Sequence, residues 1–114
     1  MSAKQNYLRA IYKLTDAGDK GTTTGELSEE LGVSNASVSE TIKKLEDDKL
    51  ICRAPYKEFT LSPMGKEEAE RIKEKYDILR NFFEDLGLEH PEKEADTVEH
   101  SISMEAVKKI EQQL

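Results

Sequence analysis

Tryptophan is absent from this 114-residue chain, cysteine occurs once, histidine twice and proline three times, and only 6% of the residues are aromatic. Each shortage removes a class of explanation. A single Cys52 excludes an intrachain disulfide, and with no second thiol and no His close in sequence it cannot build a zinc knuckle. It reads as a small, half-buried structural residue. Two histidines leave no His-Glu-x-x-His pair, and no nucleophile stands beside a base, so the chain reads as non-enzymatic, with no catalytic residue. There is no apolar run long enough to span a membrane. The N-terminus has neither a basic n-region nor an apolar h-region, which places the chain in the cytoplasm.

Charge is plentiful and unevenly spread. Hydrophobic residues make up 36% of the chain and charged residues another 36%, a balance suited to a soluble, mostly helical protein whose core has little to spare and gains from dimerisation. Residues 1–66 carry ten Lys or Arg against ten Asp or Glu, and residues 67–114 carry seven against fourteen, so the whole net charge of −7 lies in the second half. A near-neutral first half beside an acidic second half approaches DNA poorly unless the negative charge is offset, and a bound divalent cation is one means of offsetting it.

The first half has the punctuation of a winged helix-turn-helix. Tyr7, Leu8, Ile11, Tyr12 and Leu14 form an apolar stripe on a helix over Gln5–Leu14, and Asp16–Gly21 is a polar loop. A Thr23-x-x-Glu26 capping box opens the next helix, Leu27 and Leu31 give it an apolar edge, and Gly32 stops it. Val33 anchors the turn. Ser34 caps a second helix that turns Val38, Ile42 and Leu45 inward and ends near Asp48. Ile51–Ala54 and Glu58–Leu61 are strand candidates joined at a Pro55–Lys57 tip. Ser62 and Pro63 then form an N-cap and N1 pair opening the longest periodic run. Ala69, Ile72, Tyr76, Leu79, Phe83 and Leu86 recur three and four apart up to Gly87, predicting a helix of about 24 residues and roughly 36 Å. A helix over Pro91–His100, a Ser101–Ser103 turn and a final helix with Met104, Val107, Ile110 and Leu114 on one face complete the chain. The predicted fold class is mainly α with a small β wing.

Two residue sets could carry function. Ser34, Asn35, Ala36, Ser37, Ser39 and Glu40 are short or polar side chains on the outward face of the second helix of the motif, as a major groove requires. Ala36 suits a thymine methyl, Asn35 or Ser37 a base or phosphate, and Glu40 a cytosine amine. Lys43, Lys44 and Arg53 fit phosphate clamps, and Tyr56 and Lys57 at the wing tip reach a phosphate or the minor groove. A winged helix can instead bind protein, which leaves an acidic interaction adaptor open. Asp96, Glu99 and His100, at i, i+3 and i+4, put two carboxylates and an imidazole on one helix face. The bland alternative is a solvated acidic face ending in a His that meets the C-terminal dipole. His90, before Pro91, reads as a loop or capping residue.

The order of parts resembles the diphtheria toxin repressor family of iron- and manganese-dependent transcriptional repressors, over nearly the whole chain. The resemblance rests on Tyr7-Leu8-Arg9-Ala10-Ile11-Tyr12, Val33-Ser34-Asn35-Ala36-Ser37-Val38-Ser39, Leu61-Ser62-Pro63-Met64-Gly65 and Glu99-His100-Ser101-Ile102-Ser103. It implies a winged helix-turn-helix DNA-binding domain over residues 1–62. Residues 63–114 would hold a long linker helix and a helical metal-binding and dimerisation domain. It also implies a homodimeric, metal-dependent repressor of metal homeostasis genes that reads a palindromic double-stranded operator. The metal site would fall on Asn6, Asp96, Glu99 and His100. Asn6 stands where the family has Met or Asp, and Arg9 where manganese-responsive members place a carboxylate, although a guanidinium cannot ligate a cation. Glu40 stands where members often carry Gln. Tyr76 and Arg80 occupy second-site positions commonly held by His and Glu, so one metal per protomer at most is expected. Oxygen donors with a single imidazole favour Mn(II) or Fe(II). A regulator that binds DNA without metal is the alternative. Many members carry a further lobe resembling an SH3 fold, and this chain is expected to be the short form or a fragment.

Overall fold

Thr23 adopts an extended backbone and its hydroxyl accepts from the Glu26 N–H at 3.2 Å, so the first helix of the motif starts where the capping box predicts. The Glu26 carboxylate takes a bond from the Thr23 hydroxyl rather than from the backbone, so the box is half formed. The computed structural model describes residues 3–113 in the order α1 (Ala3–Leu14), α2 (Thr24–Leu31), α3 (Asn35–Asp47), β1 (Ile51–Ala54), β2 (Glu58–Leu61), α4 (Pro63–Asp85), α5 (Pro91–Glu99) and α6 (Met104–Gln112). They fall into two compact units that divide inside α4, between Glu70 and Arg71. Leu114, assigned by periodicity to the apolar face of the last helix, lies outside the described residues.

In the first unit α1 packs on α2 and β2, α2 on α3, and α3 on β1. Leu8, Ile11, Leu27, Val38, Ile42 and Phe59 are almost entirely withdrawn from water. Full burial of each such side chain contributes on the order of 1.5–3 kcal/mol. The hairpin pairs Ile51 with Leu61 through Ala54 with Glu58 in antiparallel register, and Thr22 adds a one-residue bridge to Phe59. Side chains alternate across this small sheet, which buries Ile51, Phe59 and Leu61 and turns Cys52 outward. The expectation of a half-buried Cys52 is therefore corrected: it falls on the solvent side of the pleat. Val33 is also corrected, since the residue is 39% exposed. The turn is anchored by backbone instead, with Gly32 at φ 67° and the N–H groups of Gly32 and Val33 both donating to the Ser28 carbonyl.

The second unit is built on the remainder of α4. Ile78, Leu79, Ala95 and Val107 form its buried centre, with Tyr76, Phe83, Val98, Ile102, Met104 and Ile110 packed around them. Tyr76 is therefore a packing residue. Leu86, at the end of the predicted seam, is 60% exposed because α4 has ended and Gly87 turns the chain at φ 82°. On the exterior, Lys108 donates to Glu74 and lies 3.8 Å from Glu111. The Glu74 hydrogen bond holds its ammonium above the usual lysine pKa. Among the described residues, no helix is long and apolar enough to cross a membrane.

Candidate nucleic-acid interface and metal-ligand residues

The recognition helix is positioned by its own caps and its buried face. Ser34 accepts from the Ser37 N–H at 3.1 Å and its hydroxyl meets that of Ser37 at 3.0 Å, which starts α3 within one residue of the turn. Val38, Ile42 and Leu45 at 0%, 1% and 2% exposure then fix its rotation about its axis. Ser34, Asn35, Ala36, Ser37, Ser39 and Glu40 are left exposed together at the N-terminal end. That is where a helix lying in a major groove presents its reading residues.

The cations expected around this face are not equivalent. Lys43 is exposed and makes no ion pair among the described residues. Lys44 lies 3.9 Å from Glu40, one turn back on the same helix. Arg53 is held by Glu46 through Nε at 3.1 Å and Nη2 at 3.3 Å, a forked pair that must open or reorient before a phosphate can use it. Glu46 was not foreseen as a site residue. Seven residues separate it from Arg53, and only the reversal at Asp48–Leu50 brings the two together. At the wing tip Tyr56 is 94% exposed and Lys57 is exposed, both at φ 62°. Glu58 N–H closes the turn on the Pro55 carbonyl at 3.3 Å. Two consecutive left-handed residues match the right-handed twist of a hairpin, at a conformational cost that Asn-Gly would avoid.

The predicted metal ligands are divided between the two units. Asn6 is half-buried on α1. Asp96 and Glu99 lie on the last turn of α5, and His100 is the C-cap rather than a helical residue. Glu99 is 2% exposed, while Asp96 and His100 are half-buried. Among the described residues, no three His, Cys, Asp or Glu side chains are gathered into a group that could hold one ion. His90 takes the N-cap position of α5 without a side-chain cap bond and lies exposed, 3.9 Å from Glu89. Arg9 is half-buried on α1, and Arg80 pairs with Glu84 at 3.6 Å.

The chain is similar to known proteins along its whole length. The manganese regulator SloR is 25% identical and superposes with a TM-score of 0.85 over 98% of this chain and 53% of its own. A manganese-dependent transcriptional repressor in complex with manganese is 26% identical, with a TM-score of 0.84 over 97% of this chain and 52% of its own. IdeR of T. acidophilum shares the fold at 22% identity, with a TM-score of 0.81 over 99% of this chain and 54% of its own. The chain thus spans about half the length of these matched chains. Residues 1–59 match the family described as iron dependent repressor, N-terminal DNA binding domain. Residues 62–114 match its metal binding and dimerisation domain. With both parts matched in order along one winged helix and one helical unit, the chain belongs to the iron-dependent repressor family.

Proposed function

We propose that this chain is a homodimeric, metal-dependent transcriptional repressor of metal homeostasis genes, reading a palindromic operator through two copies of α3. The observation that carries the reading is the exposed polar face of Ser34–Glu40 on a rigidly capped helix, in a chain whose second half matches a metal-binding and dimerisation family. The likeness to SloR, a manganese regulator, and to a manganese-dependent repressor in complex with manganese supports Mn(II) or Fe(II) as the cofactor. We assign no catalytic role to any residue, and the chain acts where its DNA is, in the cytoplasm.

The donor chemistry suits such an ion. Glu99 is a carboxylate largely removed from water, which a bound divalent cation would stabilise. Asp96 and His100 stand three residues before it and one after it in sequence at the same helix end, and Asn6 on α1 carries a neutral amide oxygen. Oxygen donors with one imidazole suit Mn(II) and Fe(II) by hardness. Tyr76 packs against the apolar centre and Arg80 pairs with Glu84, which supports one metal per protomer at most. When bound, a divalent cation supplies positive charge to the acidic half and a link between residues far apart in sequence.

The decisive measurement is a gel shift on DNA upstream of metal-transport genes, with Mn(II) and with chelator. Specific retardation is expected with metal and its loss is expected with chelator. Asp96→Ala and His100→Ala are each expected to weaken Mn(II) uptake by about tenfold or more, judged by the 10–100-fold cost of losing even an outer-shell partner. Metal-free and metal-loaded chains that bind the same duplex equally tightly would remove the metal from the reading and leave a metal-independent regulator.

A further inference from the structure

The chain is clipped to itself where the recognition helix hands over to α4. After α3, Lys49 turns at φ 64° and the Leu50 N–H donates to the Leu45 carbonyl at 2.9 Å. The Leu50 carbonyl then accepts from the Ser62 N–H at 3.0 Å, while the Ser62 hydroxyl donates to the Lys49 carbonyl at 2.7 Å. The same hydroxyl accepts from the Gly65 N–H at 3.0 Å, so Ser62 caps α4 and grips the turn that follows α3 with one oxygen. Gly65 lies against the other side of this joint. A Cβ there would fall on the Leu50 carbonyl oxygen, 2.8 Å from its carbon and 3.2 Å from its Cα. The obstacle is backbone, which has no rotamer to yield.

Gly65 is not there for its φ, because among the described glycines the left-handed ones are Gly18, Gly32 and Gly87. Within a helix it costs roughly 0.5–1 kcal/mol relative to Ala. What it permits is the approach of the first turn of α4 to the Leu50 peptide. We infer that Gly65 and Ser62 are positioning residues for operator binding: they weld the first turn of α4 to the turn that follows α3, so that first turn holds one direction relative to the recognition helix. The inference rests on the dimeric DNA-binding reading above. Two recognition helices must meet half-sites about one helical turn apart, so the direction of the helix leading away from each head sets whether both can engage. Bivalent gain is lost when geometry forbids simultaneous engagement.

The test compares wild type, Gly65→Ala and Ser62→Ala on two duplexes. One is a palindrome selected from random sequence by the Mn(II)-loaded wild-type chain, and the other is the same duplex with one half scrambled. Both variants are expected to bind the palindrome more weakly, Gly65→Ala by at least about tenfold, while half-site binding and Mn(II) uptake stay at wild-type levels. Equal loss on both duplexes, as a merely structural role predicts, or no loss on either, overturns the inference. Ser62→Ala creates no overlap and decides the matter if Gly65→Ala loses its helical circular dichroism. A wild type that selects no sequence would sink the proposed function, and the weld is then decided without DNA. Spin labels on the exposed Cys52 and on the exposed Glu67→Cys in the first part of α4, diluted with unlabelled chain, should give one narrow distance in wild type and a broadened one in Gly65→Ala. An unchanged distribution would dispose of the weld.

Discussion

Lys43 and Arg53 are both exposed cations flanking the recognition face, yet DNA must displace different things to reach them. Arg53 gives up a forked bond to Glu46, whereas Lys43 gives up only water and counterions among the described residues. Each phosphate contact steepens the fall of log K with log salt by about one, so Lys43→Ala should make the slope shallower by about one and Arg53→Ala by clearly less. Glu46→Gln loosens the fork and removes a negative charge beside the backbone, so its operator affinity should rise. A salt titration of the three variants checks all of this, and equal slopes for the two cation variants would show that the Glu46 pair does not hold in the complex. Ser34 is tested separately by stability. Ser34→Ala removes the acceptor for the Ser37 N–H and should cost about 1 kcal/mol, read as a lower urea midpoint at unchanged slope.

The wing carries its own prediction at the scale of the element. Tyr56 and Lys57 both stand at φ 62°, where an L side chain costs on the order of 1 kcal/mol and glycine almost nothing. Tyr56→Asn with Lys57→Gly should therefore stabilise the chain by about 1 kcal/mol in urea denaturation. It should weaken DNA binding if these side chains reach the duplex. Phe59, fully buried at the middle of β2, should cost about 3–5 kcal/mol as Phe59→Ala, enough to unfold a small reading head. Elements of this kind were legible in the sequence because local chemistry decides them. The strands begin and end at the predicted residues, and the capping box, Gly32, Ser34 and the Ser62-Pro63 pair mark helix ends that the structure keeps. Long-range placement was less legible. Ile78 lies off the three-and-four seam yet is buried, because α5 and α6 both pack on α4 and widen the stripe beyond a coiled-coil edge. The Glu46–Arg53 fork and the Gly65 approach to Leu50 depend on turns that bring distant residues together, and no linear spacing encodes them. The Asp96, Glu99 and His100 spacing was legible as a pattern. The pattern holds no information on whether the side chains converge on one point.

For the whole molecule, a DNA-binding reading has to survive a net charge of −7, all of it beyond residue 66. Screening decides how much that matters. The Debye length is about 8 Å at physiological ionic strength, so exposed acidic groups farther than that from the duplex are largely screened from it. At low salt the same groups should repel the duplex and slow its capture. Glu92 and Glu94, both exposed in the first turn of α5, allow a clean test. Replacing both with Lys moves the formal charge to about −3, and steering arguments predict a severalfold faster association with DNA at low salt. The gain should vanish at 1 M salt, where the Debye length is about 3 Å, and the dissociation rate should hardly change because neither residue is in the reading face. A cost is expected in return, since acids at a helix N-terminus favour the dipole by about 0.3–1 kcal/mol each, so the double variant should melt earlier. Stopped-flow association at several salt concentrations separates the two effects. An association rate unmoved at low salt would mean that the acidic half does not govern approach to the duplex.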